Sequence, residues 1–281
     1  MNTMTTKLIK LLNTLFMKHL LALTFALMTL FSVSAQYKAP QIIAHRGFHA
    51  SEGAARNSLN ALKAAQKAKL WGSECDIQLT KDGEVLVVHG PWHPGSKNAT
   101  PRVNVNRSNK ADVQAILLTS GEVVPTLDEY LQQMTKSKKT KLIIEIKDQL
   151  TPQLETEIVE KTLAKVAAYG LEDMVEYIAF RPWVCTELAR LAPKGTKIAY
   201  LNGNYTPEYC KAMGCAGIDY NFRVLKKRPH WIKESHDLGM YVNAWTVNKE
   251  EDIRWCIENG VDYITTDDPM LAKKLIKEMC R

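Results

Sequence analysis

Apolar positions along the chain alternate between short strand-like runs and longer stretches of helical period. Gln41–Ala44 is an apolar run that leads straight into His45-Arg46-Gly47. Within Ser58–Leu70, residues Leu59, Leu62, Ala65, Gln66 and Lys69 fall on one side of a predicted helix. Pro125 opens a second helix over Thr126–Met134, with Asp128 and Glu129 in its first turn. Strands are then predicted at Lys141–Ile146, Val175–Phe180, Lys197–Leu201, Ala216–Asp219, Met240–Trp245 and Val261–Thr265. Helices follow them at Pro152–Tyr169, Trp183–Leu191, Pro207–Met213, Pro229–Leu238, Lys249–Asn259 and Pro269–Met279. Gly170, Gly239 and Gly260 stand where three of these helices end.

Gly72–His89 breaks this rhythm with a different pattern. Glu74 and Asp76 alternate with Cys75 and Ile77, which puts both carboxylates on one face of a strand. Lys81-Asp82-Gly83 reads as a tight turn, with Asp82 a turn residue rather than a ligand. Val85–Val88 then returns as an apolar arm ending on His89. The polar stretch Gly90–Lys110, which contains Trp92 and His93, lacks apolar periodicity and is expected to be an extended loop.

Strand-helix alternation over this length points to a parallel sheet covered by helices. The strands beginning near residues 41, 73, 141, 175, 197, 216, 240 and 261 number eight without the return arm. Eight such units in about 250 residues match a (β/α)8 TIM barrel with a hairpin insertion after the second strand. An open doubly wound sheet is the alternative, but no GxGxxG opens the first helix.

Composition adds an address. Lys7, Lys10 and Lys18 precede the apolar run Leu20–Phe31, and Val33-Ser34-Ala35 supplies small residues for cleavage before Gln36. Residues 1–35 are therefore expected to be a signal peptide, and residues 36–281 a single exported, periplasmic domain. The apolar run is short for a membrane span. No stable membrane insertion is expected after its removal. The formal charge is +7, falling to +4 without those three lysines, and the remaining basic residues are scattered, which argues against nucleic acid. Six cysteines, Cys75, Cys185, Cys210, Cys215, Cys256 and Cys280, include no CxxC pair, which argues against a structural zinc site. Export permits disulfides, and Cys210 and Cys215 are closest in sequence, whereas Cys75 and Cys256 suit buried thiols.

In a barrel, polar residues at the C-terminal strand ends converge. That gathers His45 and Arg46, Glu74 and Asp76, Glu145 and Lys147, then Arg181, Asn202, Asp219, Trp245 with Asn248, and Thr265 with Asp267. Carboxylates of this kind can hold a divalent ion. Arg46 and Lys147 can neutralise phosphate charge, and His45 and His89 can exchange protons as base and acid. Glu145 sits in an apolar run, where a carboxylate is costly unless paired or metal-bound. Trp245 is expected either to cap the barrel core or to form an apolar wall for substrate. Asp267 and Asp268 are expected to cap the last helix.

His45-Arg46-Gly47, Glu74-x-Asp76, Thr80–Gly83 with Val88-His89, and Glu145-Ile146-Lys147 resemble the signature of the glycerophosphodiester phosphodiesterase family. Pro125–Glu129, Trp245–Asn248 and Gly260–Asp262 through Thr266-Asp267 resemble its later stretches, so the likeness runs from about residue 41 to 278. The resemblance implies hydrolysis of a small glycerophosphodiester to glycerol 3-phosphate and an alcohol. It implies catalysis by His45 and His89 and a calcium or magnesium ion on Glu74, Asp76 and Glu145; Arg46, from its charge and its place at the strand end, is expected to stabilise charge that develops on the phosphate. Two positions depart from the pattern. Ala55-Arg56-Asn57-Ser58 stands where the family has Pro-Glu-Asn-Thr, so Arg56 either loses a role near the metal or meets the substrate's phosphate; Asn57 and Ser58 still suit loop orientation and helix capping. His89-Gly90 stands where it has His-Asp. The alternatives are a phospholipase- or sphingomyelinase-like phosphodiesterase, for which an apolar loop surface is expected, and a non-catalytic phosphoester-binding protein, for which a lost histidine or carboxylate is expected.

Overall fold

Strand and helix alternate in the order the hydrophobic pattern predicts. A computed structural model of the chain describes residues 37–280, so the predicted signal peptide lies outside the described residues. The strands are β1 (Gln41–Ala44), β2 (Gly72–Leu79), β3 (Val85–Val87), β4 (Trp92–His93), β5 (Val103–Asn104) and β6 (Lys141–Ile146). They continue with β7 (Val175–Ala179), β8 (Ile198–Tyr200), β9 (Gly217–Asn221), β10 (Tyr241–Trp245) and β11 (Tyr263–Thr266). The sheet runs β1-β11-β10-β9-β8-β7-β6-β2, and a β1–β2 pairing closes it into an eight-stranded parallel barrel. β3 stands outside the ring, antiparallel to β2, with Ile77 opposite Val87 and Leu79 opposite Val85.

The two-residue period of the strands sorts the side chains into two layers. Cys75, Ile77, Leu142, Ile144 and Ile146 face outward and join Leu62, Leu131 and Ile158 of the helices in the main core. Ile43, Ile143, Ile178, Ala199 and Leu201 face inward, packed with Trp71, Phe180, Tyr241, Trp245 and Tyr263. At the N-terminal end of the barrel Lys197 lies 5.5 and 5.8 Å from the ring centres of Tyr241 and Tyr263 and 3.2 Å from Glu176. That end is filled; the other end is where the polar residues gather.

Helix starts follow local chemistry. Ser58, Thr126, Thr151, Thr206 and Asp268 each accept a backbone N–H of the following turn, a contact that stabilises a helix by about 1 kcal/mol. Thr126 and Glu129 form a reciprocal capping box.

The segment 90–110 is not the extended loop expected. Trp92–His93 and Val103–Asn104 pair as a small antiparallel hairpin, and a short helix starts at Lys110. Two contacts absent from any periodic pattern order it. Buried His93 bonds through Nε2 to the Ile116 carbonyl at 2.8 Å, and Arg102 stacks over Trp92 at 4.5 Å. Val105 and Val113 pack with Leu86, Val88 and Val124, which ties the insertion to the return arm. A further helix, Phe222–Lys227, was not expected; it buries only Phe222 and Leu225, too little to leave a helical period. All six cysteines are free, with Cys75 and Cys256 buried as the pattern suggested. No helix of the described residues is long and apolar enough to cross a membrane.

Candidate active site

Strand register builds the centre of the site. Asp76 on β2 is the direct neighbour of Glu145 on β6, and Glu74 lies one inward step below Asp76. The three carboxylates are buried, and each offers an oxygen within 4.8 Å of the others. Packing three acids together in a barrel interior raises their affinity for protons unless cations answer them. Burial first, then Asp76 and Glu145, push Glu74 well above its ordinary range. Burial and Asp76 push Glu145 up to about 8, against the pull of Lys147. Burial also presses on Asp76, but Lys147 and Arg46 override it and hold the group down at about 2.

Those cations come from adjacent strand ends. Lys147 continues the inward face of β6, bonds Glu145 Oε1, and stands 3.6 Å from Asp76 Oδ1. Arg46 Nε lies 3.0 Å from Asp76 Oδ2, and its backbone N–H donates to Glu74 Oε2 at 2.7 Å. Aiming that N–H inward requires Arg46 to adopt φ +55°, and Asn57 sits at +63°. Such conformations cost a side-chain-bearing residue about 1–2 kcal/mol and are held here by surrounding contacts. Asn57 Nδ2 donates to Asp76 Oδ2 at 2.8 Å, while its Oδ1 accepts the Asp76 N–H at 3.1 Å. Gly47 is required by space: a Cβ there would come within 2.6 Å of Ala61 Cβ. Asn57 and Ser58 thus orient the loop and cap the helix, as their positions suggested.

His45 leaves the inward face of β1, and its Nδ1 lies 2.8 Å from Asp267 Oδ1. A carboxylate only accepts, so Nδ1 carries the proton and Nε2 is left free. His49 Nε2 reaches the same Oδ1 at 2.8 Å, and Asn248 donates to Oδ2 at 2.8 Å. Burial works against this carboxylate, yet the bonds from His45, His49 and Asn248 hold it far below the usual range. Asp267 therefore does not cap the last helix. Asp268 alone does so, through the Leu271 N–H at 3.0 Å. The signal for Asp267 was present in parity, since Tyr263, Thr265 and Asp267 continue one inward face. His49 lies in an irregular loop and leaves no such signal.

The return arm carries His89 to the same mouth, where it lines one cavity with His45. His89 is exposed at this mouth; partial desolvation, then Lys147 and Arg46, push its ring down, and Asp76 opposes them. Gly90 follows at φ +52°, and a Cβ there would meet the Gln78 side chain at 2.5 Å. Gln78 accepts from Asn106 at 2.8 Å, and Asn106 also donates to Gln149 Oε1 at 2.9 Å. This amide cluster occupies the space that a side chain at residue 90 would need. Asp82 is a turn residue, accepting from Thr80 at 2.6 Å and from the Lys110 N–H at 3.0 Å.

The central cavity, about 100 Å³, is lined by His45, Arg46, His89, the carboxylates Glu74 and Glu145, and Lys147. Trp245 fills both expected places: it meets Phe180 edge-on at 5.6 Å in the inner core and walls the cavity. Its Nε1 donates to the Asp219 carbonyl at 2.9 Å. Asp219 is buried, and its Oδ1 has no partner among the described residues. Arg56 is outside this cavity, exposed, with Nη2 3.7 Å from Asp267 Oδ2. Two larger clefts of about 630 and 610 Å³ open on either side of His89 and Gly90. Arg181 and Asn202 line the first, and Arg56 the second.

The donor set fits a hard divalent cation. Glu74 Oε1 and Asp76 Oδ1 are buried without a hydrogen-bond partner, and every candidate ligand is an oxygen.

The chain is similar in sequence and fold to known proteins. Residues 45–271 match the family described as the glycerophosphoryl diester phosphodiesterase family. A glycerophosphodiester phosphodiesterase of Caldanaerobacter subterraneus subsp. tengcongensis is 27% identical over 245 residues, covering 84% of this chain and 98% of its own. The crystal structure of a glycerophosphodiester phosphodiesterase from Parabacteroides distasonis superposes with TM-score 0.82 at 33% identity, over 87% of this chain and 100% of its own. An Oleispira antarctica phosphodiesterase, solved in complex with the product sn-glycerol-3-phosphate, shares the fold at TM-score 0.73 and 20% identity, over 85% and 97% of the two chains. This chain belongs to the glycerophosphoryl diester phosphodiesterase family.

Proposed function

We propose that this phosphodiesterase releases glycerol 3-phosphate and an alcohol from its substrate through two histidines acting beside a metal-holding carboxylate cluster. The observation that carries the reading is the pairing of His45 with Asp267 on the rim of the cavity that holds Glu74 and Glu145. Glu74, Asp76 and Glu145 would hold calcium or magnesium, which when bound supplies Lewis-acid charge to a phosphoryl oxygen.

The remaining steps belong to side chains. Asp267 keeps the proton on His45 Nδ1, so Nε2 takes the proton of the attacking group, either water directly or the neighbouring glycerol hydroxyl, which gives a cyclic phosphate that a water then opens to glycerol 3-phosphate; the same carboxylate stabilises the imidazolium that results. His89 gives a proton to the departing alkoxide. The anionic phosphate of a bound substrate would favour the protonated ring. Arg46 and Lys147 offset charge on the phosphoryl oxygens. Asp219 Oδ1, turned into the cavity without a partner, accepts a glycerol hydroxyl while Phe180, Leu201 and Trp245 wall the carbon chain.

The test is turnover by purified protein with calcium or magnesium, using glycerophosphoinositol as substrate. Wild type should release glycerol 3-phosphate, and His45→Ala and His89→Ala should each lose it while keeping metal binding. Full activity in either variant removes that residue from the mechanism. Export is part of the same reading, and a mature chain beginning at Gln36 on N-terminal sequencing of secreted material would support it.

A further inference from the structure

We infer that the cleft between the His45–Asn57 loop and the β4–β5 hairpin receives the substrate's alcohol arm and selects one that carries negative charge. The inference rests on the phosphodiesterase reading above and names the substrate class within it.

The cleft shares Arg46 and His89 with the central cavity, so an arm leaving the phosphorus can run into it directly. Its charge is one-sided. Its fixed charges are the guanidiniums of Arg46 and Arg56, and no aspartate or glutamate lines it. Asp267 lies behind Arg56, but His45, His49 and Asn248 already hold its oxygens at 2.8 Å, against 3.7 Å to the guanidinium. Arg56 is exposed on the cleft side and presents a planar fork suited to a carboxylate or phosphate.

The cleft also lacks what a cationic head group needs. A quaternary ammonium is recognised by open aromatic faces or by carboxylates. Trp92 is the aromatic wall here, and Arg102 lies over its ring at 4.5 Å. A second cation would meet the guanidinium rather than an open face.

The opposite cleft sorts the other arm. It offers Asn202, Asn204, Tyr205 and Asp148, partners that match hydroxyl groups, while its two cations are already paired: Arg181 Nε lies 3.1 Å from Glu155 Oε1, and Lys147 is bonded to Glu145. Together with the Asp219 carboxyl, these suit glycerol, which is uncharged. The cationic cleft is left for the alcohol.

Three substrates separate the possibilities: glycerophosphocholine, glycerophosphoinositol and glycerophosphoinositol 4-phosphate, each assayed for kcat/KM at saturating free magnesium. Wild type should favour the 4-phosphate over glycerophosphoinositol by about fivefold or more, as expected for charge-assisted contacts at a partly exposed site. Glycerophosphocholine should be the poorest of the three. The preference should shrink at 0.5 M salt, where the Debye length falls to roughly 4 Å. Arg56→Glu should reverse the ratio of the two inositol esters, and Arg102→Ala, by baring Trp92, should raise the choline ester relative to glycerophosphoinositol. Cleavage of glycerophosphoinositol without a preference for its 4-phosphate, or a preference untouched by Arg56→Glu, overturns this inference alone. No cleavage of any of the three overturns the phosphodiesterase reading and this inference with it.

Discussion

His45 and Asp267 lie 222 residues apart in sequence, and their Nδ1 and Oδ1 atoms lie 2.8 Å apart where the first and last barrel strands meet. Barrel closure makes this contact, because β1 pairs with β11 in parallel register up to Ala44 and Thr266. The residue that follows Ala44 is His45, and the residue that follows Thr266 is Asp267. Asp267→Asn keeps the shape but removes the charge that supports a protonated His45. It should lower kcat by about 10²–10⁴-fold with little change in KM, measured by steady-state kinetics. His49→Ala, which leaves the His45 contact in place, should cost less than about tenfold. Equal losses in the two variants would mean that Asp267 acts by holding the loop rather than His45.

The carboxylate cluster predicts a pH-dependent effect of metal on stability. Glu145 is raised from 4.5 to about 8 in the folded chain, and Glu74 is raised in the same direction. Below pH 4.5 such groups are neutral in both states and cost nothing. As pH climbs toward 8, the unfolded chain ionises freely while the folded one resists, so stability falls across that window. Asp76 runs the other way, but its contribution is complete above 3.8 and lost only as pH falls through about 2. Thermal unfolding with chelator should therefore weaken between pH 5 and pH 8. Added calcium or magnesium should restore about 5 °C or more at pH 8 and much less at pH 5. A metal-induced shift equal at both values would contradict the cluster's role.

Asp219 carries a separate cost. Burial pushes its carboxyl from 3.8 up to about 7, against the influence of Asn243. Asp219→Asn should stabilise the chelated protein by about 1–3 kcal/mol at pH 8 and by little at pH 4. The same variant should raise KM by about tenfold if the carboxylate accepts a glycerol hydroxyl. Denaturant unfolding and kinetics on one preparation read both effects.

At Gly90, restoring the aspartate that the family pattern carries should not help. Gly90→Asp places a side chain at φ +52° and within 2.5 Å of Gln78. The variant should lose about 1–2 kcal/mol in denaturant unfolding from the left-handed backbone alone. Adding Gln78→Ala should return whatever exceeds that amount, a coupling that a double-mutant cycle measures.

Much of this site is legible in the sequence because it follows strand parity. The alternation of Glu74 and Asp76, and of Glu145 and Lys147, fixes which faces they share, and counting strands places those faces at one rim. Parity also reached Asp267, yet the adjacent Asp268 and Pro269 offered a local explanation as a helix start. Only the closed barrel shows that the two aspartates divide the work, one toward the histidines and one toward the helix. His49 and the β4–β5 hairpin were hidden for another reason. Their order comes from single polar contacts, such as His93 with the Ile116 carbonyl, that leave no periodic trace. The helix Phe222–Lys227 was missed because its Lys and Arg side chains outnumber its two buried anchors.

The most direct measurement of the central claim is the identity of the product by phosphorus NMR with glycerophosphoinositol, purified protein and magnesium. Glycerol 3-phosphate is the expected phosphorus product, its release stopping with chelator and resuming when magnesium or calcium is restored. Inositol phosphate as the product, or undiminished turnover in chelator, would contradict it.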